Sequence, residues 1–245
     1  MSIEVAPPDA IVLGDSHAIA LQEGCDRLGL RTAILSLSGN FWHMGLVRFN
    51  PSRGIVGRGA AQARVNGFKA QNGFEKLPHP GLPVIATFGF HLGRILPMFG
   101  IDGHRTRQEE FDADCGAHFV SRGMMRAYAR AFRQAHIDML KRLSRQVPTL
   151  LVAPPLMSEE GNMVDFRNGI LAMMQEAGIA TLDPCAEIAG TGRALPDALR
   201  APDNNHGNAD YGALAVELLC GAGFIARPEA DAVQPARFRS ARRTT

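Results

Sequence analysis

Five short apolar runs, separated by segments of helical periodicity, constrain this chain more than any other feature. They lie at residues 10–13, 32–37, 83–88, 149–153 and 179–182. Runs of this length, predominantly apolar and bounded by turn residues, read as buried strands of a parallel sheet. Between them, Ala18, Leu21, Cys25 and Leu28 recur at helical spacing, with Gly29 to close the helix. Met125, Tyr128, Phe132, Ala135, Met139 and Leu143 mark a longer amphipathic helix, and Met163, Phe166, Ile170 and Met173 a third. A last helix is expected over residues 208–220, with Tyr211, Leu214 and Leu218 on one side. Strands alternating with helices predict an α/β protein: a three-layer α/β/α sandwich around a parallel sheet of about five strands. Residues 41–82 and 93–120 lose the periodicity and are read as insertions at a functional rim.

The 245-residue chain, 46% hydrophobic and 20% charged, suits one globular domain over residues 1–225. Residues 226–245 are expected to be a disordered tail carrying Arg237, Arg239, Arg242 and Arg243. The formal net charge of +2 gathers much of its excess there, so no basic face for nucleic acid is expected. Cys25, Cys115, Cys185 and Cys220 are too scattered for a zinc ribbon and are expected to be reduced and mostly buried. No apolar run is long enough to cross a bilayer, and the first ten residues lack the basic-then-apolar pattern of a signal peptide. A cytoplasmic protein without membrane contact is the expectation.

In a sheet of this kind chemistry collects at the carboxyl ends of the strands. Three such ends carry unusual polar residues: Gly14-Asp15-Ser16, Ser38-Gly39-Asn40 and Gly89-Phe90-His91. Ser16 sits at a strand-to-helix turn, which suits an N-cap or a phosphate-cradling turn as well as a nucleophile. A serine nucleophile needs a base within reach, itself oriented by a third group. Asp203 and His206, three apart in a polar loop before the last helix, supply such a pair. The carboxylate fixes one imidazole nitrogen and frees the other for the serine proton. The same stretch also reads as an Asx-rich capping loop. Acyl transfer further needs donors aimed at a developing oxyanion, and the N–H groups of Ser16 and Gly39 are candidates.

These blocks, in this order, resemble the SGNH or GDSL-type hydrolase superfamily from Ala10 to about Leu219. Leu13-Gly14-Asp15-Ser16-His17 resembles the nucleophile block, with His17 in place of the namesake leucine. Ser38-Gly39-Asn40 resembles the block whose glycine supplies an oxyanion N–H, and Asp203-Asn204-Asn205-His206 the block of acid and base. The resemblance implies a flavodoxin-like sandwich and esterase chemistry through an acyl-Ser16 intermediate. The third block departs from the family pattern: Gly89-Phe90-His91-Leu92 places His91 where an asparagine amide normally completes the oxyanion hole. His91, or Asn40 from the neighbouring loop, is the candidate replacement.

The expected substrate is a carboxylic ester of a small molecule or an O-acylated carbohydrate, with no metal or organic cofactor. An O-acyltransferase would use the same residues, and a binding domain with a degraded oxyanion hole is the non-catalytic alternative. A flavodoxin-like phosphate binder at Gly14 lacks a glycine-rich cradle. His17 is expected to be solvated or capping. His43, His79, His104, His118 and His136 share no metal-ligand spacing and are expected at the surface or in loops. Trp42, Phe49 and Phe99 are expected to pack the insertions rather than line an acyl pocket.

Overall fold

The computed structural model describes residues 7–96, 99–111 and 116–227. Cys115 and the arginine-rich tail lie outside the described residues. The chain begins β1 (Ala10–Gly14), α1 (Ala18–Arg27), β2 (Thr32–Ser36), α2 (Gly39–His43), β3 (Val47–Asn50), β4 (Gly54–Gly57), α3 (Ala60–Asn72) and β5 (Val84–Thr87). Four short strands follow: β6 (Arg94–Leu96), β7 (Phe99–Gly100), β8 (His104–Arg105) and β9 (His118–Phe119). The second half runs α4 (Arg122–Ser144), β10 (Thr149–Val152), α5 (Gly161–Glu176), β11 (Thr181–Leu182), α6 (Pro184–Ala189) and α7 (Ala209–Gly221).

The five apolar runs form one sheet in the order β11-β10-β5-β1-β2, parallel at every pairing. Successive side chains of a strand point to opposite faces, and the core divides accordingly. Ile11, Leu13, Val84, Ala86 and Leu151 pack with residues of α3, α4 and α5 on one face. Val12, Ile85 and Val152 pack with Ala18, Leu21 and Cys25 of α1 and Ala215, Val216 and Leu219 of α7 on the other. This is the expected three-layer sandwich. No described helix is long and apolar enough to cross a membrane.

Residues 41–82, whose order is invisible in the periodicity, contain α2, an antiparallel β3–β4 hairpin and the 13-residue α3. The buried residues of α3 are only Ala61, Val65 and Phe68, too narrow a stripe to stand out among its polar residues. In α7 the core face is Tyr211, Ala215, Val216 and Leu219, while Leu214 is exposed. The cause is contact with α1, where a Cβ at Gly212 would overlap the Ala20 carbonyl and one at Gly24 would overlap the Gly212 backbone. The two helix backbones therefore touch, and the small-residue face of α7 turns inward.

Candidate active site

The α1–α7 contact determines what meets at the sheet edge. Ser16 lies just before α1 and His206 just before α7, so docking the two helices brings residues 190 apart into reach. Ser16 is exposed, and its Oγ donates to His206 Nε2 across 2.7 Å. His206 Nδ1 lies 2.6 Å from Asp203 Oδ2, the geometry of an N–H donated to a carboxylate. The loop that carries the pair is locally determined. Asp203 Oδ1 accepts from the N–H groups of Asn205 (2.9 Å) and His206 (3.2 Å), and Asn204 adopts a positive φ of 59°. Asn208 caps α7 by accepting from the N–H groups of Asp210 and Tyr211, each at 3.0 Å. The Asn205 N–H, and next the His206 imidazole, hold the Asp203 carboxyl below its ordinary range.

Gly14 closes β1 where a Cβ would overlap the Thr87 hydroxyl of β5, so only glycine permits this approach. Asp15 points inward and is 6% exposed. Burial raises its pKa from 3.8 to about 6, against the pull of the His17 N–H (3.1 Å to Oδ1) and the charge of His206. His17 is not a solvated cap. Its side chain makes no capping bond, and its ring stands 4.8 Å, centroid to centroid, from that of His206. Nδ1 of His17 is enclosed without a hydrogen-bond partner, and burial first, then the charge of His206, lowers its pKa to about 3. The ring is therefore neutral at any working pH.

The second strand end turns into α2, whose first residue is Gly39. Neither the Gly39 nor the Ser16 N–H donates to any acceptor among the described residues, which leaves both available to a ligand. The amide side chain of Asn40 is exposed and makes no hydrogen bond among the described residues. Trp42, 2% exposed, ties this helix to the end of β1 by donating Nε1–H to the Gly14 carbonyl at 3.1 Å and stacking on Phe88. It is a core residue, as the sequence suggested. Phe49 also packs against the core, whereas the Phe99 side chain lies outside the described residues.

The third strand end leads to Gly89, where φ is +101° and a Cβ would press on Met174 and His136, so glycine is required twice over. His91 is itself left-handed, φ +46°, a conformation uncommon for residues other than glycine. Its ring lies against Gly39, where a Cβ would come within 2.9 Å of Nδ1, and stacks on His43 at 4.3 Å. Burial, then the charges of His43 and Arg133, lowers the His91 pKa to about 4, and Nε2 is enclosed without a partner.

The structure thus joins Ser16, His206 and Asp203 in one hydrogen-bonded line and places His91 against Gly39. Other participants were not expected. His43, His104 and His136 are buried rather than superficial. His136 Nε2–H donates to the Trp42 carbonyl at 3.1 Å. Arg133, fully buried on α4, lies behind the His91 loop. Both α4 residues fall in phase with the buried Met125, Ala129 and Leu140, so the buried stripe is rotated from the expected spacing, with Tyr128 and Phe132 at its margin and Ala135 exposed. Among the described residues no three His, Cys, Asp or Glu side chains cluster as metal ligands. Cys25 and Cys185 are buried free thiols, and Cys220 is a half-buried one.

No protein-family model and no curated protein matches the sequence. Solved structures to which the chain is similar include a lipase/acylhydrolase from Enterococcus faecalis, at 13% identity over 90% of this chain and 99% of that one, with a TM-score of 0.44. A GDSL-like lipase from Bacteroides thetaiotaomicron is similar at 11% identity over 89% and 91% of the respective chains, TM-score 0.44. An acetylxylan esterase from Geobacillus stearothermophilus is similar at 14% identity over 88% and 94%, TM-score 0.42.

Proposed function

We propose that this protein is a serine esterase of the SGNH kind that cleaves a carboxylic ester through an acyl-Ser16 intermediate. The observation that carries the reading is the line Ser16–His206–Asp203, with contacts of 2.7 and 2.6 Å. His206 Nε2 takes the Ser16 proton as Oγ attacks the ester carbonyl, and Asp203 holds the imidazole in the tautomer that makes this possible. Charge develops on the carbonyl oxygen, where the N–H groups of Ser16 and Gly39, with His91 or Asn40, receive it. His206 then passes its proton to the departing alkoxide. Water, deprotonated by the same imidazole, attacks the acyl carbonyl and releases the carboxylic acid with Ser16 restored. The substrate is the ester of a small molecule or an O-acylated carbohydrate, and the steps need no metal or organic cofactor.

Fluorophosphonate labelling of the wild type beside Ser16→Ala tests the reading. A covalent adduct on the wild type and none on the variant is expected, together with p-nitrophenyl acetate hydrolysis that follows the same pattern. Labelling that survives Ser16→Ala, or is absent from both proteins, overturns it.

A further inference from the structure

Arg133 is the largest of the fully buried side chains, and among the described residues no carboxylate pairs with it. A buried cation without a counter-ion is costly unless dipoles surround it. Here they do. Nε and Nη2 donate to the Phe90 carbonyl at 3.2 and 2.8 Å, and Nη2 also faces the carbonyls of His91 and Arg94, both at 3.4 Å. Nη1 donates to His43 Nδ1 at 2.9 Å, and the Phe166 ring lies beneath at 6.0 Å. One side chain thus gathers three carbonyls from the loop that follows β5.

The consequence falls on the opposite side of the same peptides. A trans peptide directs its N–H away from its C=O, and the one cis bond among the described residues is Leu77-Pro78. Because the Phe90 and His91 carbonyls turn toward Arg133, the N–H groups of His91 and Leu92 turn away from it. Neither donates to any acceptor among the described residues. The Arg94 N–H closes a turn on the His91 carbonyl at 3.3 Å, which fixes the Leu92 amide on the turn's outer side. The loop lies at the site. Thr87 pairs with Gly14 in the sheet, so the chain past Thr87 runs beside Asp15 and Ser16, and the His91 ring touches Gly39.

We propose that Arg133 is a positioning residue that turns the His91 loop so that the main-chain N–H groups of His91 and Leu92 join those of Ser16 and Gly39 as donors to the oxyanion. The inference rests on the esterase reading above and assigns the third donor to backbone rather than to the His91 imidazole. It separates two roles at one residue: the ring of His91 packs against Gly39 and His43, whereas the peptides on either side of it supply the N–H donors.

The test removes an N–H without touching a side chain. Leucic acid incorporated at position 92 replaces that amide with an ester. With p-nitrophenyl acetate, kcat should fall roughly 10²–10³-fold, the usual loss for one oxyanion donor, while KM changes less than about threefold. His91→Gly keeps the N–H and tolerates the positive φ but removes the ring packed against Gly39, so its kcat should fall by about tenfold at most, well short of the Leu92 ester's loss. Arg133→Lys, which keeps the charge but loses the fork that spans several carbonyls, should lose kcat by at least about tenfold at unchanged KM. A Leu92 ester whose kcat stays within about threefold of wild type overturns the proposal, as does a His91→Gly loss of about 100-fold or more, which assigns the donor to the imidazole. A wild type that fluorophosphonate fails to label overturns the esterase reading and this inference together. Labelling of Ser16 with a harmless ester at 92 overturns this inference alone.

Discussion

Replacing Asp15 by asparagine should move the stability balance in the variant's favour as pH rises from 4 to 7, and should lower activity at neutral pH. The carboxyl is 6% exposed, and its pKa stands near 6 in place of 3.8 because burial disfavours the anion more than the His17 N–H and the His206 charge favour it. Between those two values the folded protein binds the Asp15 proton more tightly than the unfolded chain does. Stability from this group is therefore complete below about pH 4 and is lost as pH rises to about 6. A displacement of about two pH units corresponds to ~3 kcal/mol. An asparagine at this position carries no such loss, and its side-chain oxygen can still accept from the His17 N–H. Any cost of burying its amide group does not change with pH. The quantity to measure is accordingly a difference of differences. Urea unfolding of both proteins at pH 4 and pH 7 should show the stability gap shifting by ~3 kcal/mol in favour of Asp15→Asn at the higher pH. Curves that run parallel across that range would refute the reasoning. The accompanying cost is catalytic. An Asp15 anion beside His206 would favour the imidazolium that the proposed Ser16 attack forms. The variant's kcat should fall below that of wild type above pH 6, with little difference near pH 4.

Gly212→Ala should destabilise the protein by about 1–3 kcal/mol, because the added methyl overlaps the Ala20 carbonyl and the two helix backbones must part. Esterase activity should fall further than thermal stability alone explains, since parting α1 from α7 draws His206 away from Ser16. Retained activity at unchanged Tm would refute the link between that contact and the site. Asp203→Asn should lower kcat by roughly 10²–10⁴-fold with the fold intact by circular dichroism, because an asparagine no longer enforces the tautomer that presents Nε2 to Ser16.

The sheet was legible because its central strands β1 and β5 are buried along their whole length and the others keep mostly apolar runs between turn residues, a pattern that little else in the chain imitates. Four-residue strands such as β3 and β4 offer too few positions for a pattern, and α3 buries too few side chains to announce itself. Ser16 and the Asp203–His206 pair, which the structure joins by hydrogen bonds, were legible as a set because residue type and short spacing single them out. Arg133 was not. Around it on α4, Arg126 and Arg130 are exposed and pair with Glu176, so an arginine one step further reads as more of the same surface. Only its phase, four residues after Ala129, marks it as buried, and its carbonyl partners lie about forty residues away in a loop without periodicity.

That distance bears on how the site is assembled. Ser16 and His206 meet because α1 and α7 touch on one face of the sheet, whereas the His91 loop depends on α4 packing against the other. The strand ends at Gly14, Ser36 and Thr87, held in register by β1, join the two halves. A perturbation on the α7 side should therefore impair acyl transfer by disturbing proton transfer at His206, and one on the α4 side by weakening oxyanion stabilisation. Residues far apart on opposite faces with no shared partner usually act additively, but these act on one transition state. Combining Gly212→Ala with Arg133→Lys should give a kcat loss smaller than the product of the separate losses. Both variants impair the same acylation step, and once His206 no longer takes the Ser16 proton there is less oxyanion charge for the Leu92 amide to stabilise. A full multiplicative loss would mean that the two faces of the sheet contribute independently, and the loop would then act on substrate binding or release rather than on the charge that Ser16 creates.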